Sequence, residues 1–295
     1  MKTKTALTVF VLLISFALVI QAQTRRRSNM STNSSGQVSS CGDLRVTFDR
    51  RPAVTQESQL SVSPGQGQAL KAQTTNSGIY VIGWDRAEYS VTTCKAVPDD
   101  DPNPSASLGE ITTRVSGSQI TVEGPSDSNR QWSAALIINV PRISSLDLHT
   151  TNGPLELRDL AGNIQVGATN GPIDLNNVGG SVQATTANGP ISVVGSSGDQ
   201  RLSANNGPIH IALSGGSWNG PGLEASTHNG PLSISIPENY SSAIRIQASE
   251  HSPMSCNSSV CGRAVRSLGS PSVISIGSGD PVVRLSTMNG PLSIQ

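Results

Sequence analysis

The chain has 295 residues, with 20 basic and 20 acidic side chains, no formal net charge at neutral pH, and only 3% aromatic residues. That length allows one large all-β domain or two small ones. The balanced charge removes the case for nucleic-acid binding driven by phosphate neutralisation. The sequence carries no Ser-His-Asp order, phosphate-cradling glycine loop or HExxH motif.

Lys2 and Lys4 precede an apolar run from Ala6 to Ile20, and the small residue Ala22 closes it. This is the order of a secretory signal peptide, and the run is shorter than the roughly 20 apolar residues of a membrane span. Residues 1–22 are therefore expected to be removed and the protein exported, either secreted or held in the periplasm or cell envelope. No later stretch is apolar enough to be a transmembrane segment. Removal takes two basic residues and no acidic one, leaving 18 against 20. Arg25, Arg26 and Arg27 then lead into the Ser/Asn-rich stretch Ser28–Ser40. Such a composition buries too little to order itself, so residues 23–40 are expected to form a flexible arm.

Residues 41–142 are expected to be β-rich, either capping the repeat region at 143–295 or continuing it. Within them, "TTNSGIYVIGWDRAEYSVTTCKAV" sets Asn76 and Gly78 before an alternating strand, and "GSQITVEG" and "WSAALIINVPR" give further strands. In "DDDPNPSASLGE", Asp99, Asp101 and Asn103 alternate and Glu110 falls twelfth, as in a calcium loop. Pro104 stands where that loop requires glycine, so a solvated acidic loop is expected. The four cysteines, Cys41, Cys94, Cys256 and Cys261, form an even set in an exported chain and imply two disulfides. Three pairings are open; the favoured one closes a local loop through Cys256–Cys261 and ties Cys41 to Cys94. The spacings do not suit paired zinc knuckles, no His lies near Cys41 or Cys94, and no metal or cofactor is expected.

Residues 143–295 repeat an Asn-Gly-Pro triplet. Asn152, Asn170, Asn188 and Asn206 are 18 residues apart, followed by Asn229 and Asn289. Four residues before each Asn stand Leu148, Val166, Ala184, Leu202, Ala225 and Leu285. Two before stand Thr150, Ala168, Thr186, Ala204, Thr227 and Thr287. Three after stand Leu155, Ile173, Ile191, Ile209, Leu232 and Leu292, and five after stand Leu157, Leu175, Val193, Ile211, Ile234 and Ile294. Alternation on both sides of a turn means two strands per repeat, each with one buried face. The fold class expected is all-β: a β-solenoid, a single-stranded β-helix-like stack with about 18 residues per coil.

Each residue of the triplet has a structural task in such a stack. Gly153, Gly171, Gly189, Gly207, Gly230 and Gly290 are expected to supply positive φ at a sharp corner. The asparagines are expected to stack as a hydrogen-bonded ladder inside the corner. Proline opens the next strand. The 23-residue gap from Asn206 to Asn229 should bulge at "GGSWNGPG". The 60-residue gap to Asn289 has room for irregular strands at Ile234–Pro237, Ala243–Gln247, Val273–Ile276 and Val282–Ser286.

Candidates for contact lie on the outer faces. Trp218 in the expected bulge is the best-placed aromatic platform for a glycan. Four residues after each Asn the outward row reads Glu156, Asp174, Ser192, His210, Ser233 and Ser293. Adjacent repeats would set Glu156 and Asp174 about 5 Å apart. As an acid–base site this row is thin, because the face is expected to be solvated. The row five before Asn, Asp147, Gln165, Gln183 and Arg201, has the character of ordinary surface.

Repeated "TxNGPI" turns, "GWDRAEYSVTTCKA" and the closing "STMNGPLSIQ" resemble the bacterial putative-adhesin family of β-strand repeats, a domain family of unknown function in exported and envelope proteins. The resemblance covers most of residues 70–295. It implies an exported, non-catalytic structural or interaction protein whose partner is an envelope component, glycan or protein, and it brings no catalytic residues with it. The chain differs from surface-anchored relatives in having no lipid-attachment Cys near residue 22. The alternative is a β-helix protein that binds or degrades polysaccharide.

Overall fold

The structure, a computed structural model, describes residues 30–34, 37–63, 65, 67–126, 130–249, 252–267 and 271–295. The expected signal peptide and Arg25–Arg27 lie outside the described residues. The fold is all-β and consists of two large sheets. Among the described residues no helix is long and apolar enough to cross a membrane.

From Leu146 to Ser235, and again from Val283, the chain alternates between the two sheets. Leu146–Thr150, Asn163–Ala168, Ser181–Thr186, Ser197–Ala204, Asn219–Asn229 and Val283–Asn289 pair in parallel, so that Leu148, Val166, Ala184, Leu202, Ala225 and Leu285 form one column. Leu155–Leu160, Ile173–Val178, Ile191–Val194, Ile209–Ala212, Leu232–Ser235 and Leu292–Ile294 do the same in the other sheet, aligning Leu155 through Leu292. Period-two alternation turns both columns inward, and the two sheets share one buried aliphatic core. Each Leu, Ile or Val among them contributes about 1.5–3 kcal/mol by leaving water. Parallel pairing is the only arrangement that keeps an 18-residue repeat in phase, because each strand then meets its own equivalent in the next repeat.

At the corner, Asn Nδ2 donates to Oδ1 of the Asn before it, from Asn152 to Asn76 and onward through Asn170, Asn188, Asn206, Asn229 and Asn289, at 2.9–3.0 Å. The ladder lies on the exposed rim of the corner rather than inside it. The inner side is filled by Thr hydroxyls: Thr150, Thr227 and Thr287 donate to the carbonyls of Ser77, Gly207 and Gly230.

The triplet glycines do not serve the purpose expected of them. None has positive φ. A Cβ on Gly171, Gly189 or Gly207 would stand 2.0, 2.1 or 1.9 Å from the carbonyl oxygen of the glycine one repeat earlier. Glycine is required there because successive corners stack backbone on backbone. Positive φ belongs instead to the opposite corner, at Gly162, Gly180, Gly198 and Gly220, with Asp159 and Asn177 also left-handed beside them. Proline carbonyls carry the corner into the next strand: Leu155 N donates to Pro172 O and Ile173 N to Pro190 O.

Upstream, Leu70–Thr74 and Ile79–Trp84 pair in parallel with Leu146–Thr150 and Leu155–Leu160, which brings Asn76 to the head of the ladder. The intervening chain adds Ser133–Pro141 in parallel to Ile79–Trp84. Tyr89–Pro98 and, from earlier in the chain, Arg51–Val62 and Leu44–Phe48 extend that sheet in turn by antiparallel pairing. A short helix, Pro104–Glu110, occupies part of the stretch expected to be a solvated acidic loop. Pro104 opens it and Asn103 Oδ1 accepts from Ala106 N at 3.3 Å.

The arm is ordered in part, against expectation. Met30–Ser34 pairs antiparallel with Leu44–Phe48. Val38 is fully buried in a cluster with Leu44, Tyr80, Ala135 and Ile137. Asp43 accepts from the backbones and hydroxyls of Ser39 and Ser40 at 2.8–3.0 Å, which pulls its pKa down to about 2. The order comes from partners distant in sequence that local composition does not reveal. The disulfides join Cys41 to Cys94 and Cys256 to Cys261. The second lies in the long insertion, where Met254–Cys256 pairs with Leu292–Ile294, and Ile244–Ala248 pairs with Ser272–Ile276 and Val283–Asn289.

Candidate functional site

A cleft of about 640 Å³ lies at the head of the Asn ladder. The corner between Leu70–Thr74 and Ile79–Trp84 forms its floor with Gln73, Thr75, Asn76 and the neighbouring Asn152. Arg130, Gln131 and Trp132, the segment leading into Ser133–Pro141, form a wall. Arg130 is fixed by both carboxylate oxygens of Glu110, at 2.9 and 2.7 Å, and by Ser107 Oγ at 2.7 Å. Trp132 Nε1 donates to Pro125 O at 3.2 Å. Below them Ser77 Oγ lies 3.1 Å from Ser133 Oγ and accepts from Ala134 N at 2.8 Å. Gln131 Oε1 is buried and has no hydrogen-bond partner among the described residues. A cleft of this size, lined by amides, hydroxyls and an indole together with Phe48, Val122 and Ala134, suits a small ligand with polar and apolar faces such as a sugar. Sequence reasoning passes over Trp132, one of three available tryptophans, in favour of Trp218 and does not reach Gln73; the faint Asn76 turn is the other local signal for this place.

Glu156 and Asp174 are direct partners on adjacent strands. Their face is not the solvated one expected. The two carboxylates are half-buried in a recess of about 270 Å³ together with Gln37, Arg158 and Ser192. Arg158, 8% exposed, donates to Val38 O and lies 3.6 Å from Glu156 Oε1. The amino-terminal segment therefore covers part of the row. Burial raises the Glu156 pKa, partly offset by Arg158 and reinforced by Asp174. Burial likewise raises Asp174, against the lowering effect of a hydrogen bond from Ser192. Tyr80, the partner of Glu156 on the other side, is raised by burial and by that carboxylate. His210 is exposed and turned to Ser233 Oγ at 2.7 Å. The strand bearing Ser192 separates it from Asp174, two strand spacings or about 10 Å. The structure does not bring it to the carboxylates.

Trp218 is not a contact platform. It is 7% exposed, belongs to the core, and its Nε1 donates to Gly198 O at 2.9 Å. An indole buries more apolar area than any other side chain can, and Gly198 leaves its carbonyl open to receive the one polar atom. The acidic loop is consumed by local partners. Asp99 and Asp100 pair with Arg51, and Asp101 accepts from Asn103 N and Ser107 Oγ, each at 2.8 Å. Glu110 holds Arg130. Among the described residues no three His, Cys, Asp or Glu side chains gather as a metal site.

No family model matches the chain, and no curated protein matches it. Similar solved structures include a putative adhesin from Parabacteroides merdae, 8% identical with a TM-score of 0.38, covering 82% of this chain and 96% of that one. A putative cell adhesion protein from Clostridium sporogenes is 10% identical with a TM-score of 0.31, covering 82% and 99%. A putative lipid binding protein from Parabacteroides distasonis is 10% identical with a TM-score of 0.27, covering 82% and 96%.

Proposed function

We propose that this chain is an exported β-solenoid that acts as a non-catalytic, adhesin-like interaction module at the cell envelope, taking a polar ligand such as a glycan beside Asn76 and Trp132. In this reading residues 143–295 are the repeat solenoid and residues 41–142 continue and cap it. The parallel registers at 18-residue spacing support the solenoid. The leader-like first 22 residues and the two disulfides support export.

The observation that carries the ligand reading is the cleft itself, which Trp132 lines together with amide and hydroxyl groups. The test is a glycan array and envelope pull-down with the processed protein, repeated with Gln73→Ala and Trp132→Ala after circular dichroism establishes that each folds. Retention should fall with both. Undiminished retention by the folded variants would remove the cleft from the account. Polysaccharide cleavage is the second reading, favoured by the half-buried Glu156–Asp174 pair on neighbouring strands. It requires turnover of a polysaccharide that Asp174→Asn abolishes.

A further inference from the structure

One outward row of the sheet that contains Leu146–Thr150 breaks its own pattern of charge. Across neighbouring strands it runs Lys71, Asp147, Gln165, Gln183, Arg201, Glu224, Arg284 and Arg245. At one end Lys71 pairs with Asp147 at 3.5 Å, and Arg201 pairs with Asp199 at 3.3 Å. Arg284 and Arg245 are direct partners on adjacent parallel strands, both exposed, and neither has an ion pair among the described residues. Like charges opposite one another disfavour a sheet. Glu224, also without an ion pair among the described residues, stands between Arg201 and Arg284 and does not reach Arg245 in the register.

The same two arginines line a recess of about 400 Å³ together with Glu224, Pro281, Gln247 and Ser286. Gln247 and Ser286 also line a second recess of about 420 Å³ that continues toward the Asn corner past Ser226 and His228. The result is a groove of net positive charge, two arginines against one glutamate, that also carries hydroxyl and amide groups.

We propose that this groove binds an acidic glycan, with Arg245 and Arg284 gripping its carboxylates. A guanidinium presents a planar fork of N–H donors that matches a carboxylate in bidentate fashion. Two forks at the strand spacing of about 4.8 Å suit a ligand that repeats its acidic group along a chain. The hydroxyls of the sugar rings find Ser286, Gln247 and Ser226. Glu224 at the rim accepts from sugar hydroxyls and repels ligands of high negative charge density, which selects carboxylated sugar over polyphosphate. The proposal deepens the interaction reading and rests on it, but uses a surface separate from the Trp132 cleft, so each can fail without the other.

The test is titration of the processed protein with oligogalacturonate, its methyl ester and inorganic polyphosphate, at low and at physiological salt. Oligogalacturonate should bind, weaken with salt and exceed both comparators. Arg245→Gln or Arg284→Gln should lower its affinity roughly tenfold or more, as expected for losing a charge-assisted hydrogen-bonded contact. Glu224→Gln should strengthen polyphosphate binding, and Trp132→Ala should leave oligogalacturonate binding unchanged. Equal binding of the methyl ester, full binding by the folded double arginine variant, or preference for polyphosphate would overturn the assignment. Loss of oligogalacturonate binding with Trp132→Ala would instead assign that ligand to the cleft and overturn the groove.

Discussion

Gly207→Ala tests the claim that the Asn-Gly-Pro corners stack backbone on backbone. The new Cβ would lie 1.9 Å from Gly189 O and 2.6 Å from Gly189 C, where real contacts do not fall below 3.0 Å. The corner must therefore move by about 1 Å, and it has nowhere to go. On the other side Gly207 O already lies 2.2 Å from the Cβ position of Gly230. Asn206 sits between two ladder bonds of 3.0 Å, and its backbone N donates to Ala187 O at 2.9 Å. Overpacking of rigid structure costs about 1–3 kcal/mol, and each lost ladder bond about 1 kcal/mol. The sum is about 3–5 kcal/mol. For a chain of this size that lowers Tm by about 10 °C, at 2–4 °C per kcal/mol. Urea denaturation and calorimetry read both quantities, and Gly109→Ala, with open space around it, is the control. Gly207→Asn separates the two explanations for the glycine. If positive φ were the requirement, Asn would be tolerated better than Ala. A loss below about 1 kcal/mol for Ala, or a clear advantage for Asn, would refute the steric account.

The ladder itself is exposed, so Asn188→Ala, which breaks one bond to Asn170 and one from Asn206, should cost only about 1–2 kcal/mol by urea denaturation. Trp218→Ala should cost about 3–5 kcal/mol and leave glycan retention intact, because the indole is core and not surface. Loss of Cys41–Cys94, whose cysteines are 53 residues apart, should cost about 4 kcal/mol on loop entropy, and loss of Cys256–Cys261, 5 apart, about 2 kcal/mol; Cys→Ser pairs measured by denaturation compare them. Because burial raises the Asp174 pKa, the folded state holds this proton more tightly than the unfolded one, and stability falls as pH climbs through the ordinary carboxylate range and above it. Asp174→Asn should therefore melt higher than the unaltered protein at neutral pH, with the difference vanishing in acid; a constant difference across pH would contradict the burial.

Much of the fold is legible because the repeat exposes its own registration. Leu148, Val166 and Ala184 recur at the same distance from Asn, and residues that recur in a parallel stack must become neighbours. The Asn76 turn, though degenerate, reads as a copy and does join the ladder. The glycine chemistry is not legible in the same way, because a glycine needed for positive φ and one needed for close approach look alike in a sequence. Gly162, Gly180 and Gly198, also 18 apart, are the signal for the second corner. The burial of Trp218 is hidden because an insertion that lengthens a repeat can fold outward or back across the core, and local pattern does not distinguish the two.

The sequence alone determined the all-β class, the phase of the strands and the identity of the inward columns, because these follow from side-chain alternation and turn chemistry within one repeat. Only the tertiary structure decided which outward positions meet water. Arg158 is buried by Val38, 120 residues away, and Glu156 and Asp174 lose solvent with it. Arg284 and Arg245 become neighbours because an insertion returns to the same sheet edge. Alternation states which side of a strand a residue occupies, whereas the covering of that side depends on segments whose arrival is set by the packing of the whole chain.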